Sequence, residues 1–230
     1  MLALGLLLAG SATEAAEVRA VESLIVEGTN DFRGEQGVAR LERNTALERA
    51  ARYFASFMAR TDRYGHEADG STPSARAKVH RYDYCLVSEN ISYQYSSADF
   101  STEELARRYL EGWKKSPGHR KNMAEPAVVH IGVAVARSAE TGRYYAVQMF
   151  GRPKSKMIEF RITNKTRDGV RYRMDDESFN LPAGSARIHQ VCSPEDVVLQ
   201  GAREQRARPA HGDRLAVHRE AGRLILRPDR

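Results

Sequence analysis

Three short stretches carry the side chains that could do chemistry. They are Gly65-His66-Glu67, Ser88-Glu89-Asn90-Ile91 and Trp113-Lys114-Lys115-Ser116-Pro117-Gly118-His119-Arg120-Lys121-Asn122. Each sets an imidazole or a carboxylate beside a Gly, a Pro or a turn-forming polar residue. Loops carried on a rigid scaffold are the usual place for a site. His66, Glu89 and His119 brought together would offer two nitrogen donors and one carboxylate, which suits an open divalent-metal site or acid–base work. Each residue also has a plainer reading. His66 beside Glu67 reads as a surface histidine. Glu89 reads as an acceptor of backbone N–H groups that pins its own loop. His119 reads as a cap for the carbonyls of the helix before it. Asn90, Arg120 and Asn122 read as loop ties and Trp113 as core. His80 and His130 have no partner at a useful spacing and read as structural.

The elements that must position these residues can be read from periodicity. Val18, Val21, Leu24, Ile25, Gly28 and Phe32 recur at helical spacing, and Gly34 to Gly37 breaks the helix they predict. Thr45-Ala46-Leu47-Glu48 reads as a capping box that starts a second helix, ending near Arg60. Its stripe of Leu47, Ala50, Ala51, Phe54 and Met58 is a core face. Residues 61–84 read as loop, with one short helix predicted over Pro73 to Val79. Ser101-Thr102-Glu103-Glu104 is a second capping box. The helix it starts must stop at Ser116-Pro117, because proline disfavours helical geometry at the preceding residue. His119 is therefore expected in a constrained turn just past a helix end. Val128 to Ala136 alternates as a strand, with Ile131, Val133 and Val135 on one face and Gly132, Ala134 and Ala136 on the other. The small face would let a helix approach closely. Tyr144 to Phe150 returns as the next strand, which suggests a layered helix–sheet–helix domain ending near Pro153.

Composition adds boundaries. Hydrophobic residues at 41% and charged residues at 29% suit a soluble globular chain with a packed core. Of the net charge of +6, the last thirty residues hold eight Arg against four acids, or +4. Such a tail can meet an anionic polymer or surface, or simply be solvated. Leu2 to Gly10 is an apolar run too short to span a bilayer, followed by small residues at Ala15-Ala16. Residues 1–16 are therefore expected to be a secretory leader, although a basic start is missing. No later stretch reads as transmembrane. The two cysteines, Cys85 and Cys192, predict one disulfide in an exported chain, or else two buried thiols. A Cys85–Cys192 bond would join the first domain to the C-terminal region. A loop of ~100 residues closed this way is worth about 4.7 kcal/mol in the chain-entropy model. No Cys-x-x-Cys spacing exists, which excludes a structural zinc cluster.

Past Pro153 the pattern becomes strand-like: Ile158 to Thr163, Val170 to Met174, Arg187 to Cys192, and a terminal hairpin of Leu215 to Arg219 with Arg223 to Arg227. Residues 200–213 read as a polar linker. The region 154–230 is expected to be a small all-β appendage with no recognisable chemistry.

The motifs then fall into one order. Asn30-x-x-Arg33, Leu47 with Ala50-Ala51, Gly65-His66, Asp69-Gly70 and Glu89-Asn90-Ile91 come first. Trp113-x-x-Ser116-Pro117-Gly118-His119-Arg120-x-Asn122, Ile131-Gly132-Val133 and Tyr145-x-Val147-Gln148-x-Phe150-Gly151 come after them. This order over about residues 20–152 resembles the CAP superfamily (cysteine-rich secretory, antigen 5 and pathogenesis-related proteins) in its bacterial SCP-like form. The resemblance implies an α-β-α sandwich with a central antiparallel sheet over 17–153, usually exported. It also implies a cleft whose two His and two Glu hold a divalent metal in some members. His66, Glu89 and His119 carry over. The second Glu does not, since Lys114-Lys115-Ser116 stands near its place. The expected metal is thus loosely bound zinc or a similar cation on His66, Glu89 and His119, opposed by Lys114 and Lys115.

Three function classes compete: an exported binding module for an apolar, lipid-like or cell-envelope ligand; a metal-dependent, protease-like hydrolase using His66, Glu89 and His119; and an interaction protein whose site residues only brace the fold. The absence of Gly-x-Ser-x-Gly and His-Glu-x-x-His weakens the second. Nucleic acid is not an expected partner. The binding module is the preferred expectation.

Overall fold

The computed structural model describes residues 4–201 and 203–229, with side chains from residue 17 onward. The chain divides after Pro153 into two compact units.

In the first unit α1 spans Leu4–Glu35, β1 Glu42–Arg43, α2 Thr45–Thr61, α3 Pro73–Val79, β2 Tyr84–Gln94, α4 Thr102–Lys115, α5 Pro117–Ala124, β3 His130–Arg137 and β4 Tyr144–Pro153. The apolar run expected as a leader is helical from Leu4 and continuous with the predicted first helix. The sheet order is β1-β3-β4-β2. β4 pairs antiparallel with both neighbours, whereas β1 adds two residues parallel to β3, so the sheet is antiparallel in its body only.

The two faces of β3 explain the sandwich. Ile131, Val133 and Val135 are buried with Val21 and Ile25 of α1 and Leu105, Tyr109 and Trp113 of α4. Ala134 packs on the other side with Leu47, Ala50, Ala51, Phe54 and Met58 of α2 and Ala77 of α3. The closest approach is at Gly132, where a Cβ would lie 2.3 Å from the Leu47 carbonyl carbon. The helix backbone therefore rests on the strand itself, as the small face predicted.

Several local expectations change. Asn44, not Thr45, caps α2: its side chain accepts from the amides of Ala46 and Leu47, while Glu48 turns to Arg43 at 2.7 Å. Ser101 does cap α4 through the Glu104 amide at 3.1 Å, but the Glu104 carboxylate pairs with Arg108 instead of closing the box. Pro117 ends α4 and also occupies the first turn of a further helix, α5, where its missing N–H costs nothing. The Ser88–Ile91 stretch, expected as a loop, is the middle of strand β2.

The second unit is built of β5 Ile158–Asn164, β6 Val170–Met174, β7 Glu177–Leu181, β8 Ala186–Val191, β9 Val197–Leu199, β10 Gln205–Ala207, β11 Arg214–Glu220 and β12 Arg223–Pro228. They form two four-stranded sheets, β10-β9-β6-β7 and β12-β11-β5-β8, around Ile162, Tyr172, Val197, Leu199 and Val217. The terminal hairpin pairs as expected. The stretch expected as a linker contains β10, too short to read by alternation. Both cysteines are disulfide-bonded. Thiol titration of the denatured, unreduced chain is expected to find no free thiol, and both after reduction.

His189 of β8, not noticed in the sequence, is buried in this second core. Its ring stacks on Phe160 at 5.2 Å and its Nε2 meets the Tyr172 hydroxyl at 2.6 Å. Burial, then the nearby Arg187, pushes its pKa below the ordinary value. The fold thus binds this proton less readily than the unfolded chain does. The stability tied to it is full above the unfolded value of about 6.5 and is lost as pH falls through that value toward the lower folded one. Amide exchange in β5 and β8 is expected to accelerate on acidification across that window. His189→Gln, which keeps a partner for Tyr172, is expected to flatten the dependence.

Candidate functional site

His66 is set by the loop after α2. Asp62 ends that helix in a left-handed conformation and its carboxylate accepts from Tyr145 and Arg143. Gly65 then adopts a φ of 141°, where a side chain would be strained, and a turn closes with Ala68 N–H on the Gly65 carbonyl at 3.0 Å. The His66 side chain emerges half-exposed, and its Nδ1 lies 2.8 Å from Glu89 Oε1.

Glu89 does not project from a loop. It sits on β2 with a side chain 1% exposed, and its carboxylate is held by a residue that sequence reasoning missed. Arg76 of α3 donates from Nη2 to both Glu89 oxygens, at 3.0 and 2.8 Å, and to the His66 carbonyl at 2.8 Å. Its Nη1 donates to Asp69 Oδ1 at 2.9 Å and to the Ser71 carbonyl at 2.7 Å. The guanidinium lies over the Phe54 ring, 3.6 Å from its centroid. Arg76, Asp69 and Glu89 form a buried charge cluster in which both terminal guanidinium nitrogens are matched to acceptors, while Arg76 Nε is buried without a hydrogen-bond partner among the described residues. Nothing in the sequence marks Arg76 among the 36 Lys and Arg residues.

His119 stands in the first turn of α5 and not in an irregular turn. A polar chain fixes that helix. Asn122 Nδ2 donates to Asn90 Oδ1 at 2.9 Å, and Asn90 Nδ2 donates to Gln148 Oε1 at 2.9 Å and to the His119 carbonyl at 3.1 Å. Gln148 Nε2 donates to Thr29 Oγ1 of α1 at 2.7 Å. The motif amides are thus a continuous tie across one face of the sheet. Asn30 and Arg33 serve similarly: Asn30 exchanges two hydrogen bonds with the Leu41 backbone, and Arg33 gathers the carbonyls of Ala39, Met123 and Glu125. Arg120 donates to Gln36 Oε1 at 3.0 Å and lies over the Phe32 ring, 5.3 Å from its centroid. His130, read as partnerless, meets the Tyr82 hydroxyl at 2.9 Å; His80 caps α3 and faces Tyr53.

Because β2 is an edge strand, its outward carbonyls need partners. Asn122 Nδ2 donates to the Glu89 carbonyl at 3.2 Å, and Trp113 Nε1 and the Tyr64 hydroxyl both donate to the Ile91 carbonyl, at 3.3 and 3.2 Å. The two helical layers therefore meet around this edge, with His66 coming from one and His119 from the other. Burial, and after it repulsion from His66, holds the His119 pKa below its ordinary value. That shift favours the uncharged imidazole, which can hydrogen-bond or ligate.

Aromatic surface borders the pair. Tyr64 and Tyr93 are each about half exposed. Tyr64 and Tyr93 meet edge to face at 5.2 Å, and Arg143 lies over Tyr93 at 5.5 Å. Burial, then Tyr93 and then Glu89, raises the Tyr64 pKa and keeps its hydroxyl a donor.

The donor set fits a tightly held cation poorly. Both Glu89 oxygens already accept from a guanidinium, so a metal ion on Glu89 would face that fixed positive charge at short range. Among the described residues no group of three or more His, Cys, Asp or Glu side chains is arranged to hold a metal ion. Ser88 Oγ, next to Glu89 in sequence, is buried without a hydrogen-bond partner among the described residues, so no base is placed to activate that hydroxyl.

Comparison with known proteins places this geometry. The profile of the cysteine-rich secretory protein family matches residues 26–150. The uncharacterized protein YkwD of Bacillus subtilis is 28% identical over 136 residues, covering 59% of this chain and 49% of its own. The uncharacterized membrane protein YlbC of the same organism is 28% identical over 125 residues, covering 54% of this chain and 34% of its own. The chain thus spans about half the length, or less, of these curated relatives. An outer surface protein from Borrelia burgdorferi shares the fold, with a TM-score of 0.51 at 18% identity over 58% of this chain and 92% of that one.

Proposed function

The chain belongs to the cysteine-rich secretory protein (CAP) family, and from that premise we propose that it is an exported binding module for a lipid-like or cell-envelope ligand. The observation that carries this reading is the clamp of Arg76 on Glu89. The carboxylate that a hydrolase would need as base or metal ligand is spent on holding the fold. What the site presents outward is His66 and the half-exposed rings of Tyr64 and Tyr93. Aromatic bodies with polar tips suit a ligand with both apolar and hydrogen-bonding faces. Export agrees with the disulfide, which persists in oxidising compartments.

Under this reading a divalent cation is held loosely, by His66 and His119, and a chelator removes it with little change in melting temperature. Co-sedimentation with purified peptidoglycan, and titration with palmitate, test the binding. One of the two probes is expected to bind, with affinity reduced by Tyr64→Ala and Tyr93→Ala and unchanged by chelator. Casein is expected to survive with or without added zinc. Metal-dependent hydrolysis abolished by both His66→Ala and Glu89→Gln would replace this reading with the hydrolase.

A further inference from the structure

The second unit contains a cavity of about 810 Å³ between the segment leading into β10 and the β11–β12 hairpin, a volume that suits a small organic ligand. Arg203, Arg219 and Arg223 line it with Glu204, so the lining charge is 3 − 1 = +2. Glu204 is already paired with Arg206 at 2.7 Å. Arg219 is set in place by Asp168 at 2.9 Å and by the Gly222 carbonyl at 3.3 Å. Elsewhere in the unit Arg208 pairs with Asp196 and Arg227 with Glu220. Arg203 and Arg223 differ. Among the described residues neither side chain has an acid or a hydrogen-bond acceptor, yet both border the same cavity.

The wall between them is braced. Gln205 donates to the Leu224 carbonyl and accepts from the Leu226 amide at 3.0 Å, tying β10 of one sheet to β12 of the other. Leu224 and Ile225 add half-buried apolar surface to the lining. Guanidinium groups without counter-charges beside an apolar wall are matched by an anion that carries an apolar part. Arginine's planar fork favours phosphate in particular, through paired N–H donors.

We propose that this cavity is a binding site for a phosphate group carried on an apolar chain, with the phosphate on Arg203 and Arg223 and the chain against Leu224 and Ile225. It is independent of the His66–Glu89 site and of the reading given to that site. The chemistry is shared by an anionic phospholipid headgroup and by a soluble alkyl phosphate, and the experiment separates them. Calorimetric titration of the full chain with octyl phosphate is expected to show saturable binding, at least about tenfold tighter than inorganic phosphate because only the former fills the apolar wall. Joint substitution Arg203→Ala and Arg223→Ala is expected to weaken octyl phosphate at least about tenfold with the melting temperature unchanged, since neither side chain supports the fold. Flotation with phosphatidylcholine vesicles, with and without phosphatidylglycerol, assigns the source. Binding only to the phosphatidylglycerol vesicles, lost in the double variant, assigns a membrane headgroup. Octyl phosphate binding without vesicle binding assigns a soluble ligand. Absence of saturable octyl phosphate binding, or binding that the double variant leaves intact, overturns the proposal.

Discussion

Replacing Arg76 with methionine is expected to destabilise the first unit by about 3–5 kcal/mol, the cost of leaving buried charge uncompensated. Arg76, Asp69 and Glu89 have side chains no more than 2% exposed, so water cannot take the place of the guanidinium. The substitution strands two carboxylates and also leaves the His66 and Ser71 carbonyls without their donor. Methionine keeps the contact with Phe54, so lost packing contributes little. Urea unfolding monitored by the fluorescence of Trp113, the sole tryptophan, reads the first unit directly. Adding Glu89→Gln and Asp69→Asn to Arg76→Met is expected to recover a substantial part of the loss, because neutral amides tolerate burial better than stranded charges. A loss within about 1 kcal/mol for the single variant would mean that the cluster behaves like a surface pair. The substitution also removes the charge that opposes a cation at Glu89. Zinc affinity of the folded variant is therefore expected to rise above that of the parent chain.

Gly132→Ala is expected to cost at least about 3 kcal/mol, beyond the usual range for one added methyl group. The new Cβ would lie 2.3 Å from the Leu47 carbonyl carbon and 2.4 Å from the Glu48 nitrogen. Both are backbone atoms of a helix and cannot swing aside as a side chain would. Relief requires α2 to lift from the sheet, which opens the packing of Ala50, Phe54 and Met58 at once. Gly112→Ala in α4 is the control. A Cβ there meets nothing within 4 Å, so helix propensity alone predicts a gain of up to about 1 kcal/mol. Equal midpoints for the two variants would show that the α2–β3 contact is softer than its geometry implies.

By itself the sequence determined what depends on neighbours along the chain. The small and large faces of β3, the apolar stripe of α2, the stop at Pro117 and the terminal hairpin all come from periodicity and turn chemistry, and all are present. The ordered motifs led to the family through resemblance, and Asn90 and Asn122 could be read as ties before their partners were known. Tertiary structure alone decided which atoms those ties reach. Arg76 is 13 residues from Glu89, and only the packing of α3 against β2 brings its guanidinium to that carboxylate. Glu89 lies on an edge strand because β4, more than fifty residues later, pairs with it. Local propensity cannot see such a partner, so a strand flanked by polar residues reads as a loop. The same holds for His189 and for the cavity of Arg203 and Arg223. Burial and the absence of a counter-charge are properties of three-dimensional neighbourhoods, and they set what an ionisable side chain can do.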